Sequence, residues 1–181
     1  MQQYDIAVVG AGIQGLWSAI TASNSGLKVI LIDKSDIAAG TSSKTTQLIH
    51  GGLRYLESLD FRLVRESSRE RAWLLKRFPH RVKYLGFVIP LLKKHFWLNK
   101  KMKLGVWLYQ ALSGFRNKMF HFLSLKKLSV LQPNIDFANL SGALQYFDGQ
   151  TQDYRLCLEL ALQAREMGVD VRTYCEIDSI R

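Results

Sequence analysis

Three glycines and one acid carry the most legible chemistry in this chain. Gly10, Gly12 and Gly15 form a G-x-G-x-x-G run whose gaps are filled by Ala11, Ile13 and Gln14, and Asp33 stands 21 positions beyond Gly12. Gly10 permits a sharp turn, Gly12 lets the backbone approach a pyrophosphate without a Cβ in the way, and Gly15 lets a helix pack closely on a sheet. The free N–H groups and positive dipole end of such a helix favour a diphosphate. A carboxylate at the spacing of Asp33, followed by Lys34, suits ribose hydroxyls and repels a 2′-phosphate. A glycine-rich turn in a βαβ unit without any ligand is the competing reading.

A second group of polar residues follows. The hydroxyls of Thr41, Ser42 and Ser43 are suited to phosphate or ring edges, and in Gln47-Leu48-Ile49-His50-Gly51-Gly52 the paired glycines let the backbone lie against a flat ligand. Arg54 next to Tyr55 offers a planar fork and a phenol, a pair suited to a phosphate oxyanion. The alternative is a polar loop that leads into a surface helix. His50 is a candidate proton acceptor, although a lone loop histidine more often has a positional role. The two cysteines, Cys157 and Cys175, have neither C-x-x-C spacing nor a histidine cluster. Buried thiols in a reducing compartment are expected, and no metal site.

The elements that must position these residues follow from periodicity. Residues 5–9 read as a strand. Ile13, Leu16, Trp17 and Ile20 recur at helical spacing up to Ser25, with Gly26 as a left-handed cap, and residues 28–32 read as a second, buried strand. Residues 34–46 are a loop with one short helical turn. A helix over 61–78 is ended by Pro79 and keeps Arg62, Glu66 and Arg69 in solvent. A strand over 84–92 carries Pro90 near its end. A helix over 102–115 presents Leu104, Trp107, Leu108, Ala111, Leu112 and Phe115 on one face. A strand over 142–147, a helix over 154–167 capped by Asp153 and closed by Gly168, and a strand over 169–174 beside the second one complete the chain. The fold class is α/β: an incomplete Rossmann-like βαβ core, with an insertion of helices and strands that belongs to a second, substrate-covering layer. The expected segments are 1–78, 79–141 and 142–181.

At 181 residues and 48% hydrophobic the chain can bury a core. No basic segment precedes the first apolar run, so no signal peptide is expected, and the apolar run over 84–92 is too short to span a bilayer. The net charge of +10 is uneven: between Arg71 and Ile135 there is no acidic residue and there are fourteen basic ones. A basic stretch interleaved with Trp and Phe suits an anionic membrane surface. A buried helix with solvated lysines is the alternative, and nucleic acid is disfavoured because no recognition fold accompanies the charge.

The segment Gly40-Thr41-Ser42-Ser43-Lys44-Thr45-Thr46-Gln47-Leu48-Ile49-His50-Gly51-Gly52-Leu53-Arg54-Tyr55-Leu56-Glu57 resembles the FAD-dependent glycerol-3-phosphate dehydrogenases of the D-amino-acid-oxidase-like flavoprotein superfamily. The likeness continues through Phe61-Arg62-Leu63-Val64-Arg65-Glu66, Glu70-Arg71, Pro79-His80 and Tyr146-Phe147-Asp148-Gly149-Gln150-Thr151. It implies FAD as cofactor, with Gly10, Gly12, Gly15 and Asp33 on the ADP half and Thr41, Ser42, Ser43, Gly51 and Gly52 near the diphosphate and flavin. Arg54 and Tyr55 are implied contacts to the substrate phosphate. The implied reaction is oxidation of sn-glycerol 3-phosphate to dihydroxyacetone phosphate by hydride transfer to FAD, with electrons passed to membrane quinone. The implied location is cytoplasmic, peripheral on the inner face of the cell membrane, and the implied full-length enzyme is a homodimer. The family is much longer, so the resemblance implies an N-terminal piece, inactive alone; three parallel strands without their remaining partners leave a sheet edge unfinished, and marginal solubility is expected. Two positions depart from the family: Asp33 replaces its usual Glu, and Gln47 replaces its usual Lys. An amine or amino-acid oxidase of the same superfamily, or a non-catalytic membrane-binding remnant, remains open.

Overall fold

A computed structural model describes residues 3–56, 58–114 and 118–179. The chain divides into two units, residues 1–47 with 151–181 and residues 48–150.

Unit 1 is a parallel layer. Strands β1 (Ile6–Val9), β2 (Val29–Ile32) and β7 (Asp170–Arg172) lie in the order β1-β2-β7, with Ile6 opposite Val29 and Ile30 opposite Asp170. Helix α1 (Ile13–Asn24) links the first two strands, and helix α5 (Asp153–Glu166) leads into the third. Leu16, Ala19 and Ile20 of α1 and Leu156, Leu160, Ala161 and Ala164 of α5 are buried with Val29, Ile30 and Leu31. Spacing of three and four along each helix gathers these small and branched residues into one stripe. β1 is less covered: Ile6 is 37% and Val9 65% exposed. Ser25 caps the C-terminus of α1, and Gly26 takes the left-handed φ of +82° as the spacing predicts. Asp153 is the first residue of α5 and does not cap it; the flanking Gln152 makes no side-chain cap, and the Asp153 carboxylate accepts the Thr45 hydroxyl.

Unit 2 is antiparallel. Strand β6 (Leu140–Gln150) is central, with β4 (Lys83–Leu92) along one edge and β3 (Leu48–Ile49) and β5 (His121–Leu123) also pairing with it. Pro90 is tolerated because β4 lies at the end of the order β3-β6-β4. Helix α2 (Phe61–Arg77) is capped by Asp60, whose carboxylate accepts the Leu63 N–H at 3.0 Å. Helix α3 (Phe96–Leu112) begins six residues before the expected start, so Lys100, Lys101 and Lys103 lie within it. Its buried face is not the expected one: Val106, Tyr109 and Gln110 are buried, while Leu104 and Trp107 are exposed and Leu108, Ala111 and Leu112 are half-buried. Residue 115 lies outside the described residues. Helix α4 (Leu125–Leu131), capped by Ser124, and strand β5 close a small core of Leu123, Leu128, Leu140 and Ala143. The units meet at 47/48 and 150/151 and not at 78/79 and 141/142, because Leu48 and Ile49 pair with Gln150 and Gly149.

Candidate functional site

In unit 1 the glycine turn has the geometry its residues require. Gly10 has φ +105°, a value open to glycine at little cost, and its N–H bonds the Ile32 carbonyl at 2.7 Å. A Cβ on Gly15 would overlap the Gly10 carbonyl, and one on Gly12 would lie 3.1 Å from Ser42 Oγ. Backbone therefore lies where a side chain on residue 15 would otherwise stand. The Ile13 N–H at the tip of α1 donates to Ser42 Oγ at 3.1 Å. Ser42 sits in a short 3₁₀ turn (Thr41–Ser43), where Ser43 donates to the Gly40 carbonyl at 3.0 Å and Thr41 is exposed.

Asp33 is anchored by main chain. Its Oδ2 accepts the Ala11 N–H at 2.7 Å and its Oδ1 the Ser35 N–H at 2.8 Å. A carboxylate oxygen has two acceptor directions, so each retains one for a ligand hydroxyl. Asp33 and Lys34 line a cavity of about 420 Å³ together with Val9, Gly10, Ile32, Cys175, Glu176 and Ile177. The last three escape a reading by motif; the signal for them is the parallel pairing of β7 with β2, which brings the chain after β7 to the end of β2. Cys175 is therefore half-buried and lines a cavity, contrary to the expected pair of buried thiols, whereas Cys157 is buried. Burial pushes the Cys157 thiol up.

Gln47 lies in the left-handed region at φ +59°, with its N–H on Thr45 Oγ1 at 3.0 Å and its carbonyl on the Thr151 N–H at 3.0 Å. Such backbone strain in a non-glycine residue costs energy and gathers at functional loops.

In unit 2 the polar residues converge on Gly51. Its N–H donates to Asp148 Oδ1 at 2.9 Å and its carbonyl accepts Ser68 Oγ at 3.0 Å. A Cβ there would overlap the Tyr109 hydroxyl and the Arg71 guanidinium. Arg71 is fully buried, ion-paired to Asp148 and hydrogen-bonded to the Tyr109 hydroxyl at 2.7 Å. Among the described residues its Nε and Nη2 have no hydrogen-bond partner; a buried unpaired donor costs about 1–3 kcal/mol. Burial holds the Tyr109 phenol above the ordinary tyrosine range, with Arg71 pulling the other way. His50 is exposed, with Nδ1 4.0 Å from Asp148 Oδ2. Gly52 takes φ +88° and leads into a 3₁₀ turn (Leu53–Leu56), where Tyr55 is 39% exposed. The backbone of Arg54 lies in this turn, and its side chain lies outside the described part of the structure. Sequence reasoning missed Arg71, Tyr109 and Asp148. The spacing 64, 68, 71 puts Arg71 on the buried stripe of α2 with Val64 and Ser68 and was the available signal.

Comparison with known proteins agrees with this geometry. Residues 5–181 match the family model described as FAD dependent oxidoreductase. The chain is 41% identical to a glycerol-3-phosphate dehydrogenase of Synechocystis sp., covering 98% of this chain and 32% of that protein. It is 37% identical to glycerol-3-phosphate dehydrogenase 2 of Mycobacterium tuberculosis, covering 97% and 30%. The crystal structure of glycerol-3-phosphate dehydrogenase from Bacillus halodurans complexed with FAD superposes with a TM-score of 0.70 at 25% identity, covering 99% of this chain and 28% of that one. The chain thus spans about a third of the length of the curated relatives it matches. A family match over 5–181, on a glycine turn, a helix tip and an anchored acid that suit a dinucleotide, means that this chain belongs to the FAD dependent oxidoreductase family.

Proposed function

We propose that this chain carries the nucleotide-binding part of an enzyme that oxidises sn-glycerol 3-phosphate to dihydroxyacetone phosphate. The observation that carries the reading is the cavity framed by Gly10 and the anchored Asp33, at the end of a glycine turn in which a Cβ on Gly15 would overlap the Gly10 carbonyl. Gly10, Gly12, Ile13, Gln14 and Gly15 supply backbone to the diphosphate, Asp33 and Lys34 take the ribose side, and Thr41, Ser42 and Ser43 offer hydroxyls. Bound FAD supplies the hydride acceptor for a secondary alcohol. Gln47, the last residue of the first segment of unit 1, precedes the strand that carries Leu48; Gly51 and Gly52 are buried in unit 2, and their assignment to the flavin rests on the resemblance. Arg54 and Tyr55 are assigned to the substrate phosphate, and His50 to the proton of the substrate hydroxyl. The relatives' names support the choice of substrate.

The test is anaerobic flavin bleaching in the complete gene product. Reduction by sn-glycerol 3-phosphate and not by glycine or sarcosine is the expected result. Bleaching by the amino acids alone would move the protein to the amine and amino-acid oxidases, and purification without stoichiometric flavin would leave a non-catalytic remnant.

Docking to an anionic membrane surface, with membrane quinone as electron acceptor, is part of the same reading. No helix among the described residues is long and apolar enough to cross a membrane. α3 exposes Trp97 at 78%, Leu104 at 65% and Trp107 at 55%, beside exposed Lys100, Lys101 and Lys103. Aromatics at acyl depth with lysines at headgroup level suit a peripheral attachment to the inner face of the cell membrane. Sedimentation with anionic vesicles at low salt is expected to carry the protein down, and absence of binding removes this assignment. A homodimer of the full-length enzyme, implied by the resemblance, is checked by its mass in solution.

A further inference from the structure

We propose that Asp148 is a positioning residue for His50, holding the proton on Nδ1 and leaving Nε2 bare; this rests on the assignment of His50 to the substrate hydroxyl. Asp148 is buried, and its two oxygens have different surroundings. Oδ1 receives the Gly51 N–H at 2.9 Å, the Tyr109 hydroxyl at 3.2 Å and the Arg71 guanidinium. Oδ2 lies 4.0 Å from Nδ1 of His50, whose side chain is 61% exposed. One oxygen is saturated by buried donors, so the other has a free direction toward the imidazole. Among the described residues, the charged and titratable groups facing His50 are Asp148 from β6, with Arg71 from α2 and Tyr109 from α3 bound to that carboxylate. A carboxylate beside Nδ1 favours the tautomer with its proton there, and the ring then presents Nε2 as an acceptor.

The same cluster fixes where the ring stands. Ser68 holds the Gly51 carbonyl and Asp148 holds the Gly51 N–H, so the main chain next to His50 is gripped on both sides. Pairing Arg71 with Asp148 keeps a carboxylate at this depth as an acceptor. The proton of the substrate hydroxyl would pass to Nε2 while FAD, the hydride acceptor of the holoenzyme, would take the hydride from the carbon bearing that oxygen, leaving a carbonyl; Asp148 would balance the imidazolium that results.

The experiment is ¹⁵N-histidine spectroscopy of the complete gene product, with H50Q used to assign the His50 signal. Neutral histidine in water prefers Nε2–H, so an Nδ1–H tautomer at His50 is the expected and discriminating result; an Nε2–H tautomer in the unsubstituted protein overturns the proposal without any variant having to fold. D148N is expected to return the proton to Nε2 and to lower kcat for glycerol phosphate roughly tenfold or more with little change in KM. Its effect on kcat should vanish in the H50Q background. D148N with unchanged tautomer and kcat overturns the proposal. If the unsubstituted protein is not reduced by glycerol phosphate, the proposed function fails on its own, and the tautomer still decides the role of Asp148.

Discussion

Gly51 and Asp33 show at the scale of single residues how much depends on what is absent from a side chain and what surrounds one. A methyl group at position 51 meets the Tyr109 hydroxyl and the Arg71 guanidinium, both held in a buried network. G51A is expected to destabilise the protein by about 1–3 kcal/mol, the usual cost of overpacking, seen as a lower midpoint in chemical denaturation. Asp33 fails differently when truncated. D33A removes the acceptor for the Ala11 and Ser35 amides and for a ribose. Charged hydrogen bonds contribute about 1.5–3 kcal/mol, so FAD affinity is expected to fall roughly 10- to 100-fold, measured by flavin fluorescence titration of the apoprotein. The glycines and Asp33 were legible because each answers a local demand: a turn, a close approach, an acid at fixed distance. Arg71, Tyr109 and Asp148 were not, since their meaning lies in mutual contact between α2, α3 and β6, elements far apart in sequence. A buried arginine also looks like any surface arginine until the register of its helix is known.

The same division holds for the elements. β1, α1, β2 and the pairing of β7 beside β2 follow from apolar runs and glycine punctuation, and the structure has them. β5 and α4 went unread. β5 has three residues, too few for alternation to register, and α4 has seven, with Lys126 and Lys127 drawing attention to charge. Its signal was Ser124 ahead of Leu125, Leu128 and Leu131. The early start of α3 shows why a lysine cluster is a poor helix boundary: lysine is a good helix former, and its charge says nothing of backbone. Elements also decide how the two thiols behave. Cys157 faces the interior from α5, and burial raises its thiol, so it should resist alkylation at pH 8 in the folded protein. Cys175, beyond β7, lines the cavity beside Asp33 and should react first. Added FAD is expected to slow labelling of Cys175 and leave Cys157 unchanged, which peptide mass mapping resolves. Equal labelling of Cys175 with and without FAD would separate the cavity from the nucleotide.

At the scale of the whole molecule, two units with different polar clusters imply two different limits of pH stability. In unit 1 the Arg172 guanidinium and the Tyr4 hydroxyl bond Asp170 and hold its carboxyl below the ordinary range of about 3.9. A carboxylate with a lowered folded pKa contributes stability that is present above its unfolded pKa and is lost as pH falls through the folded value. In unit 2, burial raises the Tyr109 phenol above its ordinary value of about 10. That contribution is complete below the unfolded pKa and is lost as pH rises through the folded value. Acid should therefore loosen the β2–β7 ladder in unit 1, and alkali the Gly51 cluster in unit 2. Hydrogen exchange mapped by peptide can follow both from one preparation. D170N should flatten the acid response of the 29–32 and 170–172 peptides and leave the alkaline response of unit 2 alone. Y109F, which cannot ionise, should do the converse for peptides around 51 and 148. Both substitutions acting on both limbs would mean that the units unfold as one body, and that the pH limits belong to the molecule and not to either cluster.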